Sequence, residues 1–320
     1  MKSLTKLSAA IAAFTVSVAA SAAYPDRPLH LFVGFAPGGA ADVIARTIAD
    51  GLSKELGQQV VVENRPGAES TIAMNAVARA APDGYTFGLG TNTAMVAVPT
   101  RPNTFVTYDP FKDFTPISSA GQFSMFLVVN NALPVKTVNE LLDYVAANPD
   151  KLTSASSNSA AELAMIQLLA MRNAKVMNVR YKGDVPALTD LVGNQINMIF
   201  TTGTTAPALV RDGRARALLT LQPERSQFLP DVPTAAELGI KDITILPWAG
   251  FFGPAGMPEE VTEKLSSALQ KVLKSPEVRA KLAEQGFEGY GMSPKEFAAF
   301  FKERHDGWVD TVKKNNITFD

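Results

Sequence analysis

Leu29–Phe35 (LHLFVGF) is an almost unbroken apolar run, the pattern of a strand covered on both faces. Pro37-Gly38-Gly39 then turns the chain. Beyond it Ile44, Ile48, Leu52 and Leu56 recur every four residues, marking one face of a helix that Gly57 ends. QVVVEN (Gln59–Asn64) predicts a second strand, NRPGAES (Asn64–Ser70) a loop, and Thr71–Ala80 a small-residue helix. Asp83-Gly84 turns into a third strand over Tyr85–Gly90. Strand, helix, strand, helix, strand predicts right-handed crossovers and a parallel sheet.

The stretch from Asn92 to Pro116 is rich in Pro, Thr and Asn and reads as one long connection. Met125–Asn130 (MFLVVN) restarts the alternation, and Thr137 with Glu140 forms a capping box for the next helix. Strand-helix pairs follow: LTSA into Ala160–Met171, MNVRY into Val185–Val192, INMIF into Thr205–Arg211, then ARALLTL. Trp248–Pro254 (WAGFFGP) reads as a closing strand, and the tail as helices over Glu259–Lys274, Pro276–Gln285 and from Ser293-Pro294 onward. The expected architecture is α/β with two lobes, each a mostly parallel sheet flanked by helices, and a ligand cleft between them. Residues 24–122 and 247–320 are expected to form lobe 1, and residues 123–246 lobe 2.

The first 23 residues break the pattern. Lys2 and Lys6 precede an apolar stretch too short to span a bilayer, and Ala20-Ser21-Ala22-Ala23 offers small-residue cleavage sites, so an export signal is expected, with a soluble, unanchored periplasmic product. At 320 residues and 46% hydrophobic content the remainder can bury two cores. Net charge is −1, which argues against nucleic acid as a partner. With no cysteine and 2 histidines, thiol chemistry is excluded and a histidine-built metal site is unfavoured. No cofactor is expected.

In open parallel sheets ligands bind beyond the carboxyl ends of strands, beside helix N-termini. The loops so placed are Phe35–Asp42, Gly90–Asn92, Ser156–Ala160, Tyr181–Asp184 and Thr201–Thr205. Gly34 and Gly39 have the spacing of a phosphate loop, but Ala40 and Ala41 stand where a lysine and a hydroxyl would reach phosphates and Mg²⁺. What survives is a helix terminus suited to a small oxyanion such as a carboxylate, although Pro-Gly-Gly alone is also a plain tight turn. Ser156-Ser157-Asn158-Ser159, Thr91-Asn92 and Thr201-Thr202 add uncharged donors, each also an ordinary helix cap when taken singly.

Groups for catalysis are few. His30 reads as a strand-end packing residue and His305 as part of a solvated helix face. Asp42 suits the helix dipole and can pair with Arg46 four residues on, a structural role favoured over ligand contact. Lys182 and Arg101 are cations near cleft loops that could answer a second carboxylate, though a solvated side chain is the simpler reading of Arg101. Trp248 and Phe251 fit the cleft, the hinge or, more simply, the core.

YPDRPLHLFVGFAPGGAADVIAR, VVVENRPGA, APDGYTFGLGTN, YDPFKDFTPIS, VRYKGDVPALTDLVGNQINMIF, PDVPTAAELGI and FFGPAGMPEE occur in order along nearly all of residues 24–320. Together they resemble the Bug family of periplasmic solute receptors, the TctC-like components of tripartite tricarboxylate transporters. The resemblance implies a type II periplasmic-binding-protein fold whose lobes close on a carboxylate. It implies that Phe35, Ala36, Pro37, Gly38 and Gly39 form one jaw and Ser156, Ser157, Asn158 and Ser159 the other; Ala40 and Asp42, at the start of the helix behind the first jaw, are further ligand-binding candidates by position. Thr91, Asn92, Tyr181, Lys182, Thr201 and Thr202 would complete the pocket; Arg101 is a candidate for a distal carboxylate from its charge and position alone. The implied partners are a mono- or dicarboxylate and integral-membrane permease subunits, with a monomeric receptor; a sensor kinase is an alternative output, and an α/β enzyme using the glycine loop a weaker one. Three departures stand out. Glu69-Ser70 replaces a frequent Gly-Gly, the loop around Asn158 is shorter and lacks glycines, and Thr201-Thr202 stands where the family often places an acid or amide.

Overall fold

The computed structural model describes residues 24–314 and 317, apart from residues 103, 150, 182, 183, 204, 205, 223, 242, 244 and 246. The export signal expected over residues 1–23, Lys182 and Thr205 lie outside the described residues.

The opening alternation folds as its pattern requires. Strand β1 (Leu29–Val33) leads into helix α1 (Ala40–Leu56), strand β2 (Val60–Asn64), helix α2 (Thr71–Ala78) and strand β3 (Thr86–Thr91). β1 pairs in parallel with both β2 and β3. Ile44, Ile48 and Leu52 of α1 are fully buried.

The expected connection over residues 92–116 is more structured than its composition suggests. Thr93–Ala97 forms a buried π-helical turn, and Phe114–Phe123 is a ten-residue strand, β4. β4 carries Pro116, Ser118, Ser119, Gly121 and Gln122, so neither alternation nor an apolar run marks it. Ser118 and Ser119 are buried because their hydroxyls donate to the carbonyls of Met292 (2.9 Å) and Tyr290 (2.6 Å), partners far away in sequence.

The chain then crosses into a second sheet. Its elements are β5 (Met125–Asn130), α3 (Val138–Ala147), β6 (Thr153–Ser156), α4 (Ser159–Ala170), β7 (Met177–Arg180), α5 (Asp184–Val192), β8 (Met198–Thr202), α6 (Ala206–Arg211) and β9 (Ala215–Thr220). It returns through β10 (Trp248–Pro254), α7 (Glu259–Lys274), α8 (Pro276–Glu284), the short strand β11 (Phe287–Gly289) and α9 (Pro294–Lys314).

The sheet orders are β11-β4-β10-β3-β1-β2 and β7-β6-β8-β5-β9. Each sheet keeps a parallel three-stranded part, but β10, β4, β11, β5 and β9 all pair antiparallel, so both sheets are mixed rather than mostly parallel. The cause is the crossing: a chain that leaves one sheet and returns to it enters from the end where its parallel strands finish.

β10 is therefore central in the first sheet. Trp248 and Phe251 are core residues, 1% and 0% exposed, and Trp248 packs edge-on against Phe297, Phe300 and Phe301 of α9. α9 also reaches the second sheet, where Gln167 Nε2 of α4 donates to Thr311 Oγ1 at 2.9 Å. His30 Nδ1 lies 2.5 Å from Glu63 Oε1, and His305 stands edge-on to Phe111, so both histidines have structural surroundings.

Candidate functional site

Register fixes where the strand ends meet. Ala249 lies opposite Thr91, and Met125 opposite Thr202. The crossings at Ser124 and Pro247 thus sit beside the carboxyl ends of β3 and β8. From the crossing, β3-β1-β2 and β8-β6-β7 extend on one side, carrying the loops at Phe35–Asp42, Thr91-Asn92, Ser156–Ser159 and Thr201-Thr202.

The first of these loops is built around Asp42. Gly38 adopts a left-handed backbone (φ 82°), which glycine tolerates, and its N–H donates to Asp42 Oδ2 at 2.9 Å. Arg46 Nε donates to the same oxygen at 3.0 Å, the i,i+4 pair expected from the spacing. Asn64 Nδ2 donates to Asp42 Oδ1 at 2.7 Å and to the Phe35 carbonyl at 3.0 Å. Asp42 itself is 2% exposed. Burial raises its carboxyl, but the donors Arg46, Gly38 and Asn64 outweigh that and hold it below the ordinary carboxylate value. Its carboxylate thus braces a loop whose residues 36–39 are exposed, at the N-terminus of a helix capped only by the backbone of Gly39. N–H groups in the first turn of a helix have no intrahelical partner.

The second sheet presents a comparable loop. Asn158 caps α4, its side chain accepting from Ala161 N at 3.0 Å, and Ser156 Oγ accepts from Asn178 Nδ2 at 2.9 Å. Ser157 Oγ donates to Asp184 Oδ1, and both Thr202 N (2.9 Å) and Thr202 Oγ1 donate to Asp184 Oδ2. Asp184, at the start of α5, therefore ties the ends of β6 and β8 together. The sequence marked its loop but not this residue. An acid does reach the end of β8, supplied from the neighbouring helix rather than the strand. Tyr181 donates to Asp190 Oδ2 at 2.6 Å, a bond that, with burial, raises its phenol.

Two hydroxyls stand out at the strand ends. Thr91 Oγ1 and Thr201 Oγ1, on residues 7% and 1% exposed, have no hydrogen-bond partner among the described residues. Buried hydroxyls are nearly always paired, so each of these leaves hydrogen-bonding capacity unused at the end of its sheet.

Arg101 comes from the segment after the π-helical turn, yet it lines a cavity of about 160 Å³ with Ser156, Ser157, Asn158, Ser159 and Tyr181 of the second sheet. Its guanidinium is gripped by Glu69, Nη1 to Oε1 at 2.5 Å and Nη2 to Oε2 at 2.9 Å. The loop Phe35–Ala40 does not line that cavity. A larger cavity of about 460 Å³ opens on the other side of the crossing, lined by Ser124, Gln222, Lys274, Arg279 and Glu288. Among the described residues no group of three or more His, Asp or Glu side chains is placed to hold a metal ion, and no helix is long and apolar enough to cross a membrane.

Two mixed sheets joined by crossing segments, with polar loops gathered at their facing strand ends, define the architecture of a periplasmic binding protein. Residues 44–317 match the tripartite tricarboxylate transporter family receptor, TctC, and the chain belongs to that family. It is 31% identical over 318 residues to the protein BugT of Bordetella pertussis, covering 97% of this chain and 98% of BugT. A solved periplasmic transporter is 37% identical, with a TM-score of 0.73 over 93% of this chain and 100% of that one. The R. palustris protein Rpa4515, solved with adipate, is 31% identical, with a TM-score of 0.74 over 92% of this chain and 99% of that one.

Proposed function

We propose that this chain is an extracytoplasmic receptor that closes on a small carboxylate between its two sheets and delivers it to integral-membrane permease subunits of a tripartite transporter. The moving parts are residues 24–122 with 247–320 and residues 123–246, and residues 1–23 act as the export signal. The observation that carries the reading is a pair of buried hydroxyls, Thr91 and Thr201, one at the end of each sheet and neither with a hydrogen-bond partner among the described residues. Around them the first-turn amides of α1, behind Phe35, Ala36, Pro37, Gly38, Gly39 and Ala40, and the Ser156–Ser159 loop supply hydrogen bonds to an anion without offering it a nucleophile. Asn92, Tyr181 and Thr202 complete the wall, Lys182 is a further candidate from its place in the sequence, and Asp42 acts by holding the first loop in shape. Carboxylate chemistry is supported by the adipate of the R. palustris relative. Closure follows from the ligand's preference for the closed form, since only a difference in affinity between two states shifts their populations.

Mass spectrometry of small molecules released from natively purified protein, followed by calorimetry with a carboxylate panel, tests the reading. A panel of mono- and dicarboxylates that gives neither heat nor a rise in melting temperature would refute it. Thr91→Val and Thr201→Val separate ligand contact from packing. Each is expected to weaken the ligand about threefold to tenfold, the value of one hydrogen bond. The unliganded protein should be as stable as before or slightly more so, because a buried unpaired hydroxyl is removed. Affinity left unchanged in both variants would remove these hydroxyls from the site.

A further inference from the structure

We infer that Glu69 sets the charge class of the ligand: by holding Arg101 it makes the cleft favour a carboxylate with an uncharged far end over a dicarboxylate. The inference rests on the carboxylate-receptor reading and adds a specificity-determining residue to it.

Glu69 occupies a backbone position that disfavours it. Ala68, Glu69 and Ser70 are three successive non-glycine residues with positive φ, 45°, 55° and 74°. Side chains rarely adopt that region, and such strain persists only where the surroundings enforce it. Glycines would take the same turn at no steric cost. What this chain gains at position 69 is a carboxylate that meets both branches of the Arg101 guanidinium, a bidentate geometry that fixes orientation as well as charge.

That pairing decides what the cavity offers. Arg101 and Arg180 both line it, and each is matched by a carboxylate: Arg101 by Glu69, and Arg180 by Glu162 at 3.1 Å on two branches. The charges these four described side chains bring are balanced. A second ligand carboxylate adds a negative charge to that set and meets a guanidinium whose charge and two Nη donors are already engaged by Glu69. A partner tethered in the same chain competes at a high effective concentration. A ligand with a polar or apolar far end meets no such competition.

Acids matched in length but differing in one carboxylate test this directly: butanoate with succinate, hexanoate with adipate, and benzoate with terephthalate. The wild-type receptor is expected to bind the monocarboxylate of a pair at least tenfold more tightly by calorimetry. In Glu69→Gln the charge of Arg101 is released while the side-chain volume is kept, and the ratio should move at least tenfold toward the dicarboxylate. Adding Arg101→Gln to that variant should abolish the gain. Glu69→Gly removes the same carboxylate and suits the turn, so it should shift the ratio in the same direction even where Glu69→Gln folds poorly. Equal wild-type affinity for both members of every pair, or a ratio unmoved in both Glu69 variants, overturns the inference and leaves the receptor reading intact. Failure of the wild type to bind any acid in the panel overturns the receptor reading, and this inference with it.

Discussion

Asp42→Ala is expected to lower the free energy of unfolding by about 3 kcal/mol and to weaken carboxylate binding at least tenfold. The carboxylate collects three donors from three parts of the chain: the Gly38 N–H of the loop, Arg46 on the next turn of α1, and Asn64 at the end of β2. Arg46 is half exposed and returns to water at little cost, as a surface ion pair would. The loss falls on the Gly38 amide, whose tie is removed, and on Asn64, whose hold on the Phe35 carbonyl is then braced only through Arg46 Nη2 at 2.8 Å. Urea denaturation measures the stability, and calorimetry with the co-purified ligand measures the binding. The pH dependence has a definite sign. The folded carboxyl titrates below its ordinary value, so its contribution is full above about pH 5 and is lost as pH falls below about 4, through the lowered value. The stability gap between wild type and variant should therefore narrow as pH falls below about 4. A variant with wild-type stability at pH 7 and abolished binding would instead make Asp42 a ligand contact.

Much of this arrangement was legible in the sequence, for identifiable reasons. The apolar run of β1, the four-residue spacing of α1 and the Pro-Gly-Gly between them are local signals, and each formed the element it predicts. The Asp42–Arg46 pair also follows from spacing alone. β4 and β11 were not legible, because their burial depends on long-range partners: a polar strand such as FTPISSAGQF is buried only where the carbonyls of Tyr290 and Met292 await its serines. The role of Asp184 was hidden similarly. Its bonds run to Ser157 and Thr202, which are 27 and 18 residues distant in the chain, and no periodicity encodes them. Glu69 shows the converse. Its identity was plain as a departure from Gly-Gly, but its function depends on Arg101, 32 residues on, and on a backbone conformation that its residue type argues against.

Gly34→Ala tests whether that strained turn is coupled to the loop opposite. A Cβ on Gly34 would lie 1.9 Å from Ser70 Oγ, 2.5 Å from its Cβ and 2.6 Å from its Cα, so relief requires the backbone of residue 70 to move. Movement is resisted, since Ser70 is 1% exposed and belongs to a turn anchored by the Glu69–Arg101 pair and by Thr71 Oγ1 donating to the Ala68 carbonyl at 2.7 Å. Overpacking of this kind costs about 3 kcal/mol where neighbours cannot yield. Ser70→Gly alone should be neutral or mildly stabilising: Ser70 Oγ has no hydrogen-bond partner among the described residues, and glycine accepts a φ of 74° without strain. Combined with Gly34→Ala it removes the two nearest atoms but not the Cα, so about half of the lost stability should return. That incomplete recovery, measured as a double-mutant cycle in urea, is the signature of contact through the backbone. A Gly34→Ala protein as stable as wild type would mean that the turn yields freely, and the positive φ values would then carry no constraint on Arg101.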